Sequence, residues 1–172
     1  MHLWYKMVDI DKTIYDPVEV DQDYFAQNPD AWGEFYTKLK TYPQGVIEVL
    51  FGADTGDILE KICVDFNLNR EQSALLSRLI RTVLIADTYI GDMPAQISSK
   101  LGVDQSTALE IARAVVSQLF APVIEDIKKL QLQKFGKLPS SGTPQQSGVP
   151  RPVPGTDLPE TGGNIIDLRN QK

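Results

Sequence analysis

Histidine and cysteine are almost missing from this 172-residue sequence: each occurs once, as His2 and Cys63. A lone cysteine excludes an intrachain disulfide and any multi-cysteine zinc site. A lone histidine leaves no basis for Ser-His or Cys-His catalysis, or for a zinc site with two His ligands. Catalysis would have to run on carboxylates, Lys, Tyr or Ser alone, so the expectation is a protein that is not an enzyme and holds no cofactor or metal. Long apolar runs are missing too. Nothing approaches the roughly 18 consecutive apolar residues of a membrane span. The opening MHLWYKMVDIDK has no secretory pattern of a charged region followed by about 7–15 apolar residues. A cytoplasmic setting is the expectation.

What is present suffices for a core. The chain is 42% hydrophobic and 23% charged, with formal net charge −6, so wholesale disorder is excluded. Its length suits one domain with appendages. Composition divides it in three. Residues 1–52 carry ten of the fourteen aromatics, with four Lys against nine Asp or Glu. Residues 53–135 are nearly balanced in charge, with nine Lys or Arg against eleven Asp or Glu. Residues 136–172 hold six of the twelve Gly and six of the eleven Pro, a composition that predicts a flexible tail, because such residues bury too little apolar surface to offset ordering entropy.

The middle region is helical by periodicity. Ile58, Leu59, Ile62, Cys63 and Phe66 fall on one helix face, with Asp54 or Thr55 as the expected cap. Asn67-Leu68-Asn69 is a break, and Asn69 with Gln72 makes a capping box. Leu75, Leu76, Leu79, Ile80, Val83 and Leu84 form the next stripe, expected to end at Gly91. Asp92 is the expected cap of a short helix carrying Met93, Ile97 and Leu101, with Pro94 in its first turn. After Gly102, Asp104 caps a helix striped by Ala108, Ile111, Ala112, Val115, Val116, Leu119 and Phe120. Pro122 kinks or restarts it, and Val123, Ile124, Ile127 and Leu130 continue the pattern to about Lys134. The prediction is an all-α, compact bundle of four or five amphipathic helices over residues 53–135.

Before it, residues 30–39 predict a helix with Trp32, Phe35, Tyr36 and Leu39 on one side. Residues 1–20 alternate weakly at Val8 and Ile10 and suggest extended chain. The aromatics either pack onto the bundle as core or form a partner-binding face, for which Trp4 and Trp32 are the candidates.

Several short patterns carry possible chemistry. Asp54-Thr55-Gly56 matches the aspartic-protease triplet, but a second triplet and a β-loop are needed for that chemistry, and helix capping accounts for these residues. Residues 93–113, around Lys100-Leu101-Gly102-Val103-Asp104, resemble a helix-turn-helix in which Gln105, Ser106 and Arg113 would meet nucleic acid. The acidic Asp104 and Glu110 on the same face oppose it, since duplex affinity comes largely from neutralising phosphates. Leu158-Pro159-Glu160-Thr161-Gly162 matches the sortase pentapeptide without the apolar stretch and basic end that complete such a signal. Chance in a Pro- and Gly-rich stretch explains it. Ile165, Ile166, Leu168 and Arg169 restore aliphatic character after a long polar stretch, as a short docking motif does. Cys63, on an apolar helix face, reads as buried and inert.

From about Phe51 to Leu130 the sequence resembles an uncharacterised helical domain of small-genome bacteria of the candidate phyla. The residues that carry this are Ile58-Leu59-Glu60-Lys61-Ile62, Leu68-Asn69-Arg70-Glu71-Gln72, Leu79-Ile80-Arg81-Thr82-Val83-Leu84, Ala112-Arg113 and Leu119-Phe120-Ala121-Pro122-Val123. The chain departs from that pattern at Ile85-Ala86-Asp87, where the family's second helix usually ends in Leu-Gly. The resemblance implies a helical fold and a bacterial origin, and no activity or functional residue. The leading expectation is a non-catalytic protein–protein interaction or adaptor module. The alternative is a helix-turn-helix nucleic-acid binder.

Overall fold

A computed structural model describes residues 12–136, which form helices joined by turns with no strand among them. Two 3-10 turns, Thr13–Tyr15 and Glu19–Asp21, lead into α1 (Gln22–Gln27), α2 (Pro29–Leu39), α3 (Gln44–Phe51), α4 (Ala53–Asp65) and α5 (Arg70–Leu84). A 3-10 turn, Ile90–Asp92, precedes α6 (Met93–Leu101) and α7 (Gln105–Val115). A π-turn (Val116–Phe120) and a 3-10 turn (Ala121–Val123) join α7 to α8 (Ile124–Phe135). The fold is all-α, as the periodicity predicts, with more helices than four or five because the aromatic region is itself helical. By contacts the chain divides into Met1–Ser141 and Gly142–Lys172, and the second part lies outside the described residues.

The expectation of extended chain before residue 20 is corrected where it can be seen. Asp16 Oδ1 accepts hydrogen bonds from the Val18 and Glu19 N–H groups at 2.7 and 2.8 Å. This local bond winds the chain into turns, as short acidic side chains do. Val8 and Ile10 lie outside the described residues.

One hydrophobic core joins the helices. Leu59, Ile62 and Cys63 of α4, Leu76, Leu79, Ile80, Val83 and Leu84 of α5, and Ile111 and Val115 of α7 are buried in it. So are Phe35 and Leu39 of α2 and Val46 and Leu50 of α3. A fully buried Leu such as Leu50, 0% exposed, stabilises by about 1.5–3 kcal/mol relative to its exposed state.

Helix ends follow local chemistry. Asn69 and Gln72 form the capping box at α5, with both reciprocal bonds at 2.9 Å. Asp104 caps α7 by accepting from the Ser106 and Thr107 N–H groups, each at 3.0 Å. The α4 cap is different from the expected one. Gly52 is the N-cap and Asp54 and Thr55 lie within the first turn. Buried Thr55 donates its hydroxyl to the Val49 carbonyl at 2.7 Å, serving the end of α3 instead. A Cβ on Gly52 would stand 2.4 Å from the Glu48 carbonyl oxygen, so only glycine fits this tight joint. Asp92 stands at the α6 N-cap without a side-chain bond, because the preceding 3-10 turn runs straight into the helix.

The α5 helix stops at Leu84, well before Gly91. The Asp87 N–H returns to the Thr82 carbonyl at 2.7 Å and the Ala86 N–H to Val83 at 3.1 Å. That paired closure is a Schellman motif, with Ala86 in the left-handed region at φ 53°. The end of α4 closes the same way, with Leu68 N–H on Cys63 and Asn67 at φ 51°.

Helical structure is continuous from Gln105 to Phe135, 31 residues that are long and apolar enough by length and composition to cross a membrane. Within it, Ile111, Val115, Leu119, Phe120 and Ile127 are buried against the other helices. The π-turn ends two residues before Pro122, whose ring cannot follow an unbroken α-helix.

Candidate docking surface

Residues 14–21 are fastened across α5 by a set of polar contacts. The Ser77 hydroxyl donates to the Ile14 carbonyl at 2.6 Å. Arg81 donates to the Pro17 carbonyl at 3.2 Å and to Asp21 Oδ2 at 2.5 Å. Arg78 Nε donates to Asp21 Oδ1 at 2.6 Å. Burial pushes the Asp21 carboxyl up, but the bonds and charges of Arg78 and Arg81 together outweigh it and hold the group below its ordinary value.

This clip places Phe25 of α1 beneath Arg81 and against α2. Phe25 stacks on Phe35 at 5.5 Å between centroids and meets Trp32 edge-on at 5.1 Å. Tyr24 reaches Phe25 at 5.6 Å, and Tyr36 lies alongside Trp32 at 6.4 Å under the Lys40 ammonium. In α2 the residues Trp32, Phe35, Tyr36 and Leu39 share a helical stripe, yet only Phe35 and Leu39 enter the core. Trp32 is 39% exposed, Tyr24 55%, Tyr36 54%, and Phe51 at the end of α3 is 47%. The aromatic region therefore divides between core and surface.

Of these exposed rings, Trp32 and Phe51 edge a surface trough. Its apolar part has a volume of about 450 Å³ and is walled by Val18, Phe25, Ala26, Trp32 and Phe51. Through Asp16, Glu19 and Phe51 it is continuous with a second recess of about 400 Å³, where Asp57 and Glu60 of α4 face Lys12 and Tyr15. The Asp16 carboxylate is turned onto its own backbone. Glu19, Asp57 and Glu60 form no ion pair among the described residues.

Of the residues singled out from sequence, Trp32 lies in this trough. Trp4, Ile165, Ile166, Leu168 and Arg169 lie outside the described residues, as does Leu158–Gly162. Gln105, Ser106 and Arg113 are exposed on α7, after a turn in which Gly102 takes the left-handed conformation at φ 67°. Thr55 of the protease-like triplet is buried and hydrogen-bonded to the α3 backbone. Phe51, Phe25, Glu19, Asp57 and Glu60 escaped the sequence reading. A helical stripe identifies Phe51 as a neighbour of Leu50 and gives no sign that the Gly52 joint turns it outward.

Among the described residues no group of three His, Cys, Asp or Glu is arranged to hold a metal ion. Among the described residues, the carboxylates held below their ordinary values are Asp21 and Asp104, and they owe this to structural partners, two arginines and the Thr107 hydroxyl with neighbouring N–H groups. Neither faces a second carboxylate in a cavity. No known protein family, curated protein or solved structure matches this chain.

Proposed function

We propose that the chain is a non-catalytic protein–protein interaction or adaptor module whose binding surface is the trough edged by Trp32 and Phe51. The observation behind this reading is the exposure of two large aromatics, Trp32 and Phe51, on the walls of one concave surface, with the exposed rings of Tyr24 and Tyr36 packed against its Phe25 and Trp32. Aromatic side chains left on a surface mark binding sites, and Trp and Tyr contribute most of the energy in protein interfaces. Phe35 beneath them is 8% exposed and anchored in the core, so the platform is already ordered and binding loses little entropy. The test is selection of displayed random peptides of about ten residues on the full chain, with the folded Trp32→Ala chain as counter-target. Enrichment that disappears on Trp32→Ala supports the reading. Equal enrichment on both chains sinks it.

The helix-turn-helix reading is second. In its favour, α6 and α7 are joined by a three-residue turn, Gly102-Val103-Asp104, with Gln105, Ser106 and Arg113 exposed. Against it stand the acidic neighbours on the same face.

A further inference from the structure

We infer that the trough takes a basic linear segment, one that sets apolar side chains against Trp32 and Phe51 and an Arg or Lys into the adjoining acidic recess. The inference rests on the interaction-module reading and names the chemistry of the partner.

Charge complementarity argues for this occupant. Between Lys12 and Glu60 the sequence holds three Lys and no Arg against ten Asp or Glu, a net 3 − 10 = −7. Between Lys61 and Gly136 it holds nine Lys or Arg against eight acids, a net 9 − 8 = +1. The acidity of the described part is thus concentrated in the segment that builds the trough. On α4, Asp57 and Glu60 are three residues apart and so share a face. Glu19 comes from the 3-10 turn Glu19–Asp21, and all three border the recess. Among the described residues Lys12 is the only cation lining it, against Asp16, Glu19, Asp57 and Glu60, so the described lining carries an excess of negative charge. The interior acid, Asp21, is by contrast fully matched by Arg78 and Arg81. Carboxylates left unmatched around a concave site favour a cationic partner and disfavour an acidic one.

The apolar part sets the second requirement. Its described lining is Val18, Phe25, Ala26, Trp32 and Phe51, with polar side chains only at Gln22 and at Asp16 and Glu19 on the edge shared with the recess. A segment lying along both parts must place apolar groups at one end and a cation at the other. That order distinguishes it from a nucleic acid, whose phosphates the acidic recess repels, and from a purely apolar partner, which would leave the recess unused.

The experiment compares two displayed peptide libraries on the full chain. Both carry the same apolar positions. Beyond them, one has Arg or Lys and the other Asp or Glu. Affinities of enriched peptides are then measured on wild type, on Trp32→Ala, and on the charge-reversed pair Asp57→Lys with Glu60→Lys. Asp57→Asn with Glu60→Gln serves as the milder variant, and circular dichroism confirms folding of each. The expected result is enrichment from the basic library alone. Binding should fall about tenfold or more on charge reversal, weaken with added salt, and be lost on Trp32→Ala. Trp32-dependent enrichment that is equal in the two libraries overturns the basic-segment inference and leaves the interaction-module reading intact. Absence of any Trp32-dependent peptide overturns both. Concentration-dependent dimerisation of the full chain, abolished by Trp32→Ala, would assign the trough to a second copy and also overturn the inference.

Discussion

The Arg81 guanidinium lies over the ring of Phe25, 5.7 Å from its centroid, while its Nη2 donates to Asp21. One side chain of α5 thereby holds both the polar clip and the aromatic wall of the trough. Such stacking contributes about 0.5–1 kcal/mol at a partly exposed site. Replacing Arg81 with Lys would keep the charge and lose the planar group that contacts Phe25, Asp21 and the Pro17 carbonyl together.

Asp21→Asn should lower unfolding stability by about 2 kcal/mol, the scale of a hydrogen bond to a charged partner. The Asp21 side chain is 15% exposed, so solvent screens the pair only in part. Its folded-state value is below the ordinary 3.8. The contribution is therefore fully present above that ordinary value and is lost as pH falls through the depressed folded one. Urea melts of wild type and variant at several pH values should show a constant difference from neutral pH down to about 4, which shrinks in more acidic solution. A difference that vanishes already near neutral pH would contradict the assigned ion pairs.

Ala86→Gly should raise stability by about 0.5 kcal/mol. Ala86 sits at the left-handed position of the Schellman closure, where a Cβ costs about 1 kcal/mol. Greater freedom of glycine in the unfolded chain and loss of a methyl that is 2% exposed offset part of that gain. Thermal melts of the two chains decide the sign. A clear loss of stability would show that methyl packing outweighs backbone strain.

Periodicity reveals which residues face a core, and it located α4 to α8 because their stripes are long and uninterrupted. Asn69, Asp104 and Gly102 were legible because their conformational roles are local. The end of α5 was not, since Ala86 carries no glycine signature. The trough was legible only at Trp32. Phe25 and Phe51 become its walls through the Asp21 clip and the Gly52 joint, which link residues about 60 and 4 positions apart respectively, and the longer link leaves no trace in spacing.

Gln131 was likewise read past, as a polar residue of α8. It is 0% exposed. Its Nε2 donates to the carbonyls of Val83 and Thr88 at 3.1 and 3.0 Å, and its Oε1 accepts from the Ile90 N–H at 3.1 Å. It thus ties the α5–α6 connection to α8. Gln131→Leu keeps the volume and leaves three backbone groups without these partners. The expected loss is about 3 kcal/mol, with faster amide exchange at Ile90. A loss below about 1 kcal/mol would mean that the connection finds other partners.

The α6–α7 hairpin should show no sequence-specific duplex DNA binding near physiological salt, about 0.15 M. A recognition helix presents its N-terminal turn to the duplex, and the free N–H groups there attract phosphate. In α7 those donors are already engaged: Asp104 Oδ1 accepts from Ser106 and Thr107, and Asp104 Oδ2 accepts from the Thr107 hydroxyl. These bonds, that of the Thr107 hydroxyl foremost, hold the Asp104 carboxyl below its ordinary value, so it stays charged where a phosphate would have to lie. Glu110 adds a second negative charge, and Arg113 is the only cation on the helix. Because each phosphate neutralised by Lys or Arg contributes to affinity, one arginine against two carboxylates leaves no net attraction. A gel-shift assay with a randomised duplex pool should give no enriched sequence, and Arg113→Ala should change nothing. A specific complex that weakens on Arg113→Ala and strengthens on Glu110→Gln would instead make this hairpin the functional surface, and the trough at Trp32 a secondary feature.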